Sequence, residues 1–448
     1  MIAGLGGWLS DRLGRVMPDP FVLAVLLTFL TFALALAAGA SPLEALASWQ
    51  GDDGFWRLLR FGMQMCLILV TGHALAAAPI VRRGILALAD RPNTAGQVYG
   101  LTALVSVATC LVNWGLGLIV GALFARDAVR SATGRGLRVH RPLAAAAGYS
   151  GLMAWHGGLS GSAPLKVTLP ADLARLLGAD LAGRVSAIGL DQTLLSPRNL
   201  GVCVALLVAA PLFFAALGGG EVESDPVSEP APRTEGGAEA ESTDRLWVER
   251  TPVLSGLLSL LMLAWFVSYA YDTGLSRLDP NALNLLFLAA GLLLHGSLSA
   301  YSRAVNEAVK GCGGIILQFP FYAGILGVMA GTGLVARFSS ALVEVATPAT
   351  LPALTFLSAG LVNLFVPSGG GQWALQGPIA LEAALQHGVD PATLVMAVAY
   401  GDQWTNMLQP FWALPLLAIT GVKARDMMGY TSAFMIVGAV VFLAALAL

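Results

Sequence analysis

Charge is scarce in this chain. Only 12% of its 448 residues are Asp, Glu, Lys or Arg, against about a quarter in an ordinary soluble protein, while 56% are hydrophobic. A water-soluble fold of this length would have too little charge to cover its surface. Basic residues (25) and acidic residues (27) nearly balance, for a net charge of −2, so nothing points to nucleic acid. Cysteine is scarce as well: Cys66, Cys110, Cys203 and Cys312 each fall inside apolar segments without metal-ligand spacing, and read as small helix-packing residues. No cleavable signal is expected either, because the apolar run at Phe21 follows a polar segment with Asp11, Arg12 and Arg15 and has no small-residue cleavage site behind it. That first segment is expected to stay, as an interfacial helix. An enzyme would need a compact nucleophile, acid/base or metal constellation, and a channel a continuous polar lining; neither pattern is present.

What is present is apolar sequence in blocks near twenty residues: Pro20 to Gly39, Gly201 to Leu217, Thr251 to Tyr271, Asn281 to His295 and Gly429 to Leu448. Twenty residues of helix span about 30 Å, the thickness of a bilayer core. The expected fold is therefore an all-α polytopic membrane protein with about ten spans. Between residues 218 and 250 the text turns to Gly, Pro, Ser, Thr and acidic residues, which cannot bury enough apolar area to offset chain entropy. We expect a disordered acidic linker there, between a first membrane repeat (1–217) and a second (251–448).

The two halves carry related text in the same order. Leu-Val-Asn at 111–113 leads to Trp-Gly-Leu-Gly, then to Ala-Gly-Tyr-Ser at 147–150 and Trp155-His-Gly-Gly-Leu-Ser-Gly-Ser. Leu-Val-Asn at 361–363 leads to Val-Pro-Ser-Gly-Gly-Gly, then to Ala-Tyr-Gly-Asp at 399–402 and Trp404-Thr-Asn-Met-Leu-Gln-Pro. Repeat pairs with interrupted helices at matching places mark transporters whose site lies at the repeat interface. The stretch from Gln97 to Phe124 would make a straight helix of roughly 42 Å, longer than a bilayer needs. It is flanked by Arg82, Arg83 and Arg91 on one side and by Arg126, Arg130, Arg135, Arg138 and Arg141 on the other. A re-entrant hairpin turning at Asn113–Gly117 satisfies both length and the placement of basic loops in the cytoplasm. The repeat predicts a second hairpin turning at Pro367–Gly371. The architecture expected is two inverted repeats, each with a re-entrant hairpin and a broken helix.

Each of the four breaks leaves free N–H groups at one half-helix and free C=O groups at the other, which survive at membrane depth only against protein or a wet cavity. The N–H ends suit a carboxylate; the C=O ends, with Asn and Ser oxygens, suit Na⁺. The candidate substrate residues are Ser160, Gly161, Ser162, Ser368, Gly369, Gly370, Gln372, Trp373, Gln403, Trp404, Asn406 and Gln409. The candidate ion-coupling residues are Asn113, Asn363 and Asp402, with a possible Na⁺ place at Asn113, Asn363 and Ser368. Asp402 stands out because a carboxylate in an apolar helix is costly unless used. Glu307 and Glu382, near segment ends, rank lower, and His156 and His73 read first as hydrogen-bonding core residues.

At these residues the chain resembles the bacterial short-chain fatty acid transporter family, through Met63-Gln-Met to Thr71-Gly-His-Ala-Leu, Asn113-Trp-Gly-Leu-Gly, Phe319-Pro-Phe-Tyr-Ala-Gly, Val366-Pro-Ser-Gly-Gly-Gly and Tyr400-Gly-Asp-Gln-Trp with Gln409-Pro-Phe-Trp-Ala-Leu-Pro. The resemblance implies an ion-coupled carrier with a scaffold and a mobile, hairpin-bearing domain, and leads one to expect Glu at 402 and His at 372. The function expected is secondary transport of butyrate- or acetoacetate-like acids across the inner membrane, without a cofactor beyond a coupling Na⁺ or H⁺. The expected partners are the fatty acid, the bilayer and further copies of the chain as a homo-oligomer. The alternatives are a carrier of another small organic anion such as a dicarboxylate, or else a membrane enzyme or channel.

Overall fold

Prolines mark where the helices start, since the first helical position needs no N–H and already wants the proline φ. The computed structural model describes residues 18–168, 170, 173–174, 184–218, 247–273 and 280–448. Helix α1 (Pro20–Ala37) is capped by Asp19, and α2 (Pro42–Gln50) by a capping box of Ser41 and Glu44. Then come α3 (Leu59–Ala77), α4 (Pro79–Ala89), α5 (Ala95–Val112), α6 (Trp114–Gly134), α7 (Arg141–Tyr149), α8 (Ser162–Lys166) and α9 (Pro197–Leu217). The second half contains α10 (Pro252–Thr273), α11 (Pro280–His295), α12 (Leu298–Val309), α13 (Gly313–Gly331), α14 (Leu334–Glu344), α15 (Leu351–Asn363), α16 (Gly369–His387), α17 (Pro391–Thr405), α18 (Leu414–Thr420) and α19 (Ala424–Leu446). No strand occurs among the described residues.

Seven described helices are long and apolar enough to cross a membrane, and Asn281–His295 and Leu351–Asn363 are shorter apolar ones. That is fewer full spans than the ten or so expected. The difference lies at the breaks, which cut four apolar stretches into pieces, and in α6, whose second half carries Arg126, Asp127 and Arg130.

The first hairpin turns on one residue. Asn113 is extended (φ −155°, ψ 131°), and its side-chain Oδ1 accepts from the N–H groups of Gly115 (3.0 Å) and Leu116 (3.1 Å), capping α6. The arms then run antiparallel in close contact: a Cβ on Gly117 would lie 2.5 Å from the Cys110 backbone N, and one on Gly121 2.8 Å from Ser106 Oγ. The expected turn at 113–117 is therefore too long, because Asn113 caps so tightly that Trp114 to Gly117 are already helical.

The second hairpin is corrected in the same way. Residues 364–368 make its turn, and Gly369–Gly371, expected in the turn, form the first turn of α16, where Ser368 Oγ accepts from Gly371 N–H at 3.3 Å. Gln372 ties the arms together, donating to Ala359 O (2.8 Å) and to Gln376 Oε1 (2.7 Å).

Each hairpin is followed by a broken helix. After α7 the chain passes through two 3₁₀ turns, Ser150–Met153 and Trp155–Gly157, before α8; after α17 it passes through Asn406–Leu408 before α18. α17 is buried from Ala392 to Gln403 and packs against both arms of the second hairpin, against α19 and against the first break. α9 ends at Leu217 and α10 begins at Pro252. Most of the expected linker, residues 219–246, and the expected N-terminal interfacial helix, residues 1–17, lie outside the described residues. Within the linker bounds Trp247–Arg250 is a helical turn rather than coil.

Small residues let these elements touch. A Cβ on Gly121 would meet Gly148 O at 2.3 Å, where α6 crosses α7, and nothing lies within 4 Å of one on Gly134 at the end of the same helix. Gly121→Ala is expected to cost about 1–3 kcal/mol by overpacking and to lower the thermal midpoint, while Gly134→Ala leaves it unchanged or slightly raised. Equal midpoints for the two variants would refute this packing.

Candidate functional site

A carboxylate buried in an apolar body needs partners, and those of Asp402 come from the other half of the chain. Asp402, 1% exposed on α17, places Oδ2 2.7 Å from Nδ1 of fully buried His156 in the first break. The His156 ring is oriented by its other nitrogen, since Nε2 lies 3.0 Å from the backbone N–H of Ala163. An N–H can only donate, so Nε2 accepts and the ring proton sits on Nδ1, facing Asp402. The approach is too bent for a good hydrogen bond, and neither Asp402 oxygen has another donor among the described residues. The next residue, Gln403, locks the same turn: its Oε1 accepts from the N–H groups of His156 (2.8 Å) and Gly157 (3.3 Å).

The tip of the second hairpin lies on this pair. A Cβ on Gly369 would stand 2.6 Å from Trp155 Cη2, 2.8 Å from Asp402 Oδ2 and 2.9 Å from His156 Cε1, so only glycine fits without a shift. One residue on, the Gly370 Cβ position is 3.4 Å from Lys166 Nζ and 3.9 Å from Ser162 Oγ. The N–H groups of Gly369 and Gly370 have no hydrogen-bond partner among the described residues. One helical turn thus meets a buried carboxylate on one side and an exposed ammonium on the other. The sequence reading missed Lys166. The available signal was that the chain has three lysines and only this one follows a break, Gly-Gly-Leu-Ser-Gly-Ser at 157–162.

A second polar cluster fills the second break. Asn363 Nδ2 donates to Thr405 Oγ1 (3.0 Å) and Asn406 Oδ1 (2.9 Å), and Gln409 Nε2 donates to the carbonyls of Asn363 (3.2 Å) and Leu364 (3.0 Å). Tyr149, from the first broken helix, donates its hydroxyl to the Asn406 and Gln409 carbonyls. Asn363 Oδ1 and Gln409 Oε1 stay buried without a donor. These are hard, neutral oxygen ligands of the kind Na⁺ takes.

The remaining candidates divide. Asn113 and Ser160 meet at the first hairpin tip, where Ser160 Oγ accepts from Trp114 N–H at 3.0 Å, and the Trp114 ring packs against Trp412 of the second break with centroids 5.0 Å apart. No hydrogen bond among the described residues joins Asn113 to Asn363. Gly161 caps α8. Trp373 is fully buried, with its Nε1 unpartnered. Trp404 faces away, donating to Met435 O of α19 at 2.8 Å. Gln372 serves the hairpin itself, as described above. Glu307 is exposed beside Lys310, and Glu382 is exposed.

Two hairpins and two broken helices meeting at a polar centre inside an apolar helical body define a polytopic membrane transporter. The sequence profile of the short chain fatty acid transporter family matches residues 1–448, and the chain belongs to that family, whose members are multi-pass proteins of the bacterial inner membrane. A protein of Escherichia coli (strain K12), provisionally named a short-chain fatty acid transporter, is 39% identical over all of both chains. One of Haemophilus influenzae (strain ATCC 51907 / DSM 11121 / KW20 / Rd), named likewise, is 37% identical over 99% of each. Among solved structures, Alcanivorax borkumensis YdaH, a transporter, aligns over 96% of this chain and 97% of its own at 16% identity and a TM-score of 0.43. Neisseria gonorrhoeae MtrF, described with a class of antimetabolite efflux pumps, aligns over 97% and 96% at 15% identity and 0.39. Scores that low carry no argument about this chain.

The tight and loose sides of the hairpin tip give a direct test. Gly369→Ala is expected to cut uptake at least tenfold, because rigid rings and the Asp402 carboxylate block the added methyl, whereas Gly370→Ala meets only a flexible lysine end and retains most activity. Initial rates in proteoliposomes at matched protein loading decide it; equal loss in both would refute the contact geometry.

Proposed function

We propose that the chain imports short-chain monocarboxylates, butyrate- or acetoacetate-like, by symport with Na⁺ or H⁺, and acts as a carrier rather than an enzyme or channel. The observation that carries this reading is the Gly369–Gly370 turn, with free N–H groups, Lys166 and Ser162 on one side and Asp402 on the other. Free N–H groups at a helix start, a hydroxyl and an ammonium together bind a carboxylate. One amine serves one carboxylate, which favours a monocarboxylate over a dicarboxylate. Trp155, stacked on His156 with centroids 4.2 Å apart, offers an apolar wall for a short tail.

The same turn supplies a reason for coupling. Two anions about 5 Å apart at an effective dielectric near 20 repel by roughly 3 kcal/mol, so substrate and ionised Asp402 do not coexist without a cation. Import of an anion against an interior-negative potential also costs about 2.3 kcal/mol per 100 mV, which a co-transported cation offsets. A proton fits Asp402, and Na⁺ fits the open amide oxygens of Asn363 and Gln409. Labelled butyrate uptake under imposed Na⁺ or pH gradients separates the two. Lys166→Gln is expected to raise KM roughly 10- to 100-fold, the loss of one charge-assisted hydrogen bond. Asp402→Asn is expected to remove cation dependence while leaving exchange of one acid for another. Unchanged cation dependence and pH profile in well-folded Asp402→Asn would sink this role.

The reading includes the inverted arrangement of the two halves, supported by the shared order of hairpin then broken helix. In a background lacking Cys203, single cysteines at exposed Gly134 and Gln386, at the outer ends of the two hairpins, are expected to react with an impermeant reagent from opposite sides of the membrane. Labelling of both from one side would exclude inversion.

A further inference from the structure

A second polar recess lies away from the helix breaks, at the Arg-rich end of the first hairpin. α3 and α6 run side by side in the same direction: a Cβ on Gly72 would lie 2.7 Å from Ile119 Cγ2, and further along both helices His73 shares a small recess with Arg126, Asp127 and Arg130. Arg82, from α4, completes its wall.

The charges there do not cancel. Asp127, 4% exposed, is gripped by Arg126 through two bonds, Nε to Oδ1 at 2.8 Å and Nη2 to Oδ2 at 3.1 Å. That pair uses the cavity's one carboxylate and holds the Arg126 fork in place. Arg82 and Arg130 form no ion pair among the described residues, which leaves two net positive charges on the cavity wall. Arg135, a few residues on, has a structural task instead. It donates to the last carbonyls of α4, Nη1 to Asp90 O at 2.6 Å and Nη2 to Ala89 O at 3.4 Å, while Ser131 Oγ donates to the Asp90 carboxylate. Those bonds dock α4 on α6 and fix Arg82 relative to Arg130.

We propose that this recess binds a phosphate-bearing anion, with Arg82 and Arg130 as its two guanidinium forks. Guanidinium groups match phosphate oxygens two at a time, and basic pockets between membrane helices on the cytoplasmic side take anionic lipid headgroups. The recess lies among the basic residues that place this end of the hairpin on the cytoplasmic side, and Ile80, 62% exposed at the start of α4, adds an apolar flank beside it. Two sources share this chemistry, an anionic phospholipid headgroup and free inorganic phosphate.

The test uses the purified full chain with phosphatidylglycerol, phosphatidylcholine or inorganic phosphate as probe, read by native mass spectrometry for retained lipid and by the thermal unfolding midpoint. Phosphatidylglycerol affinity is expected to fall roughly fivefold per arginine removed, so about 25-fold in Arg82→Ala/Arg130→Ala. Arg83→Ala/Arg91→Ala, which removes the same charge outside the recess, is expected to leave it unchanged. Protection by inorganic phosphate without retention of phosphatidylglycerol, lost in the first variant only, supports the site and assigns the free anion. Should the alanine variant fail to fold, Arg82→Lys/Arg130→Lys keeps the charge, loses the forks and is still expected to weaken binding. The proposal is overturned if wild type and recess variants respond alike to every probe, or if the Arg83/Arg91 variant loses as much as the Arg82/Arg130 variant.

Discussion

Wherever a helix breaks inside an apolar body, the freed backbone groups must find partners within the protein, since no water reaches them from lipid. In this chain the partners are supplied crosswise. Gln403, beside the second break, takes two N–H groups of the first, and Tyr149, beside the first, serves two carbonyls of the second. Asn199 on α9 extends the same network, donating to Gly157 O at 2.8 Å while its Oδ1 accepts from the Tyr400 hydroxyl at 3.0 Å. Each broken helix thus takes hydrogen bonds from the other. A polar centre between the two halves is therefore a consequence of satisfying the backbone, before any ligand is considered.

That crosswise supply also explains why Asp402 tolerates its position. The bond from Ala163 N–H turns the His156 ring so that its proton faces the carboxylate, and Gln403 fixes the turn that carries the histidine. Yet the carboxylate receives only one bent contact, while the hydroxyls of Thr405 and Tyr149 nearby donate direct hydrogen bonds to backbone carbonyls. Neutral amide atoms around it, Gln372 Oε1 and Gln403 Nε2 among them, are also buried without a partner, but an incompletely satisfied carboxylate is the costliest of these, and on the proposed reading its partner arrives from outside.

Much of this was legible in the sequence because breaks have a strong local signature. Pro, Gly, Asn and Ser inside apolar text located both hairpins and both broken helices, and an acidic residue in an apolar run located Asp402. The turn boundaries were misjudged because capping is a side-chain event: Asn113 and Ser368 recover one full helical turn that glycine content alone assigned to loops. The pairing of His156 with Asp402, and of Lys166 with Gly370, joins residues hundreds of positions apart, so no local pattern could reveal it. Trp404 misled for the opposite reason: its place in the motif suggested a pocket, while helical phase turns its ring toward α19.

The charges around the hairpin tip constrain how such a site can cycle. On the proposed reading, the empty site holds the Asp402 carboxylate and the Lys166 ammonium on opposite sides of one glycine turn, and their charges offset each other. A carboxylate bound alone would leave one net negative charge in a region of low dielectric, whereas a carboxylate with one cation restores the balance of the empty state. If a cation is co-transported as proposed, loaded and empty sites carry the same charge, so both would reorient without moving net charge through the membrane, and the half-loaded site would be the one held back. On the proposed reading, strict coupling comes from where Gly369 and Gly370 place two fixed charges, and it needs no separate gate.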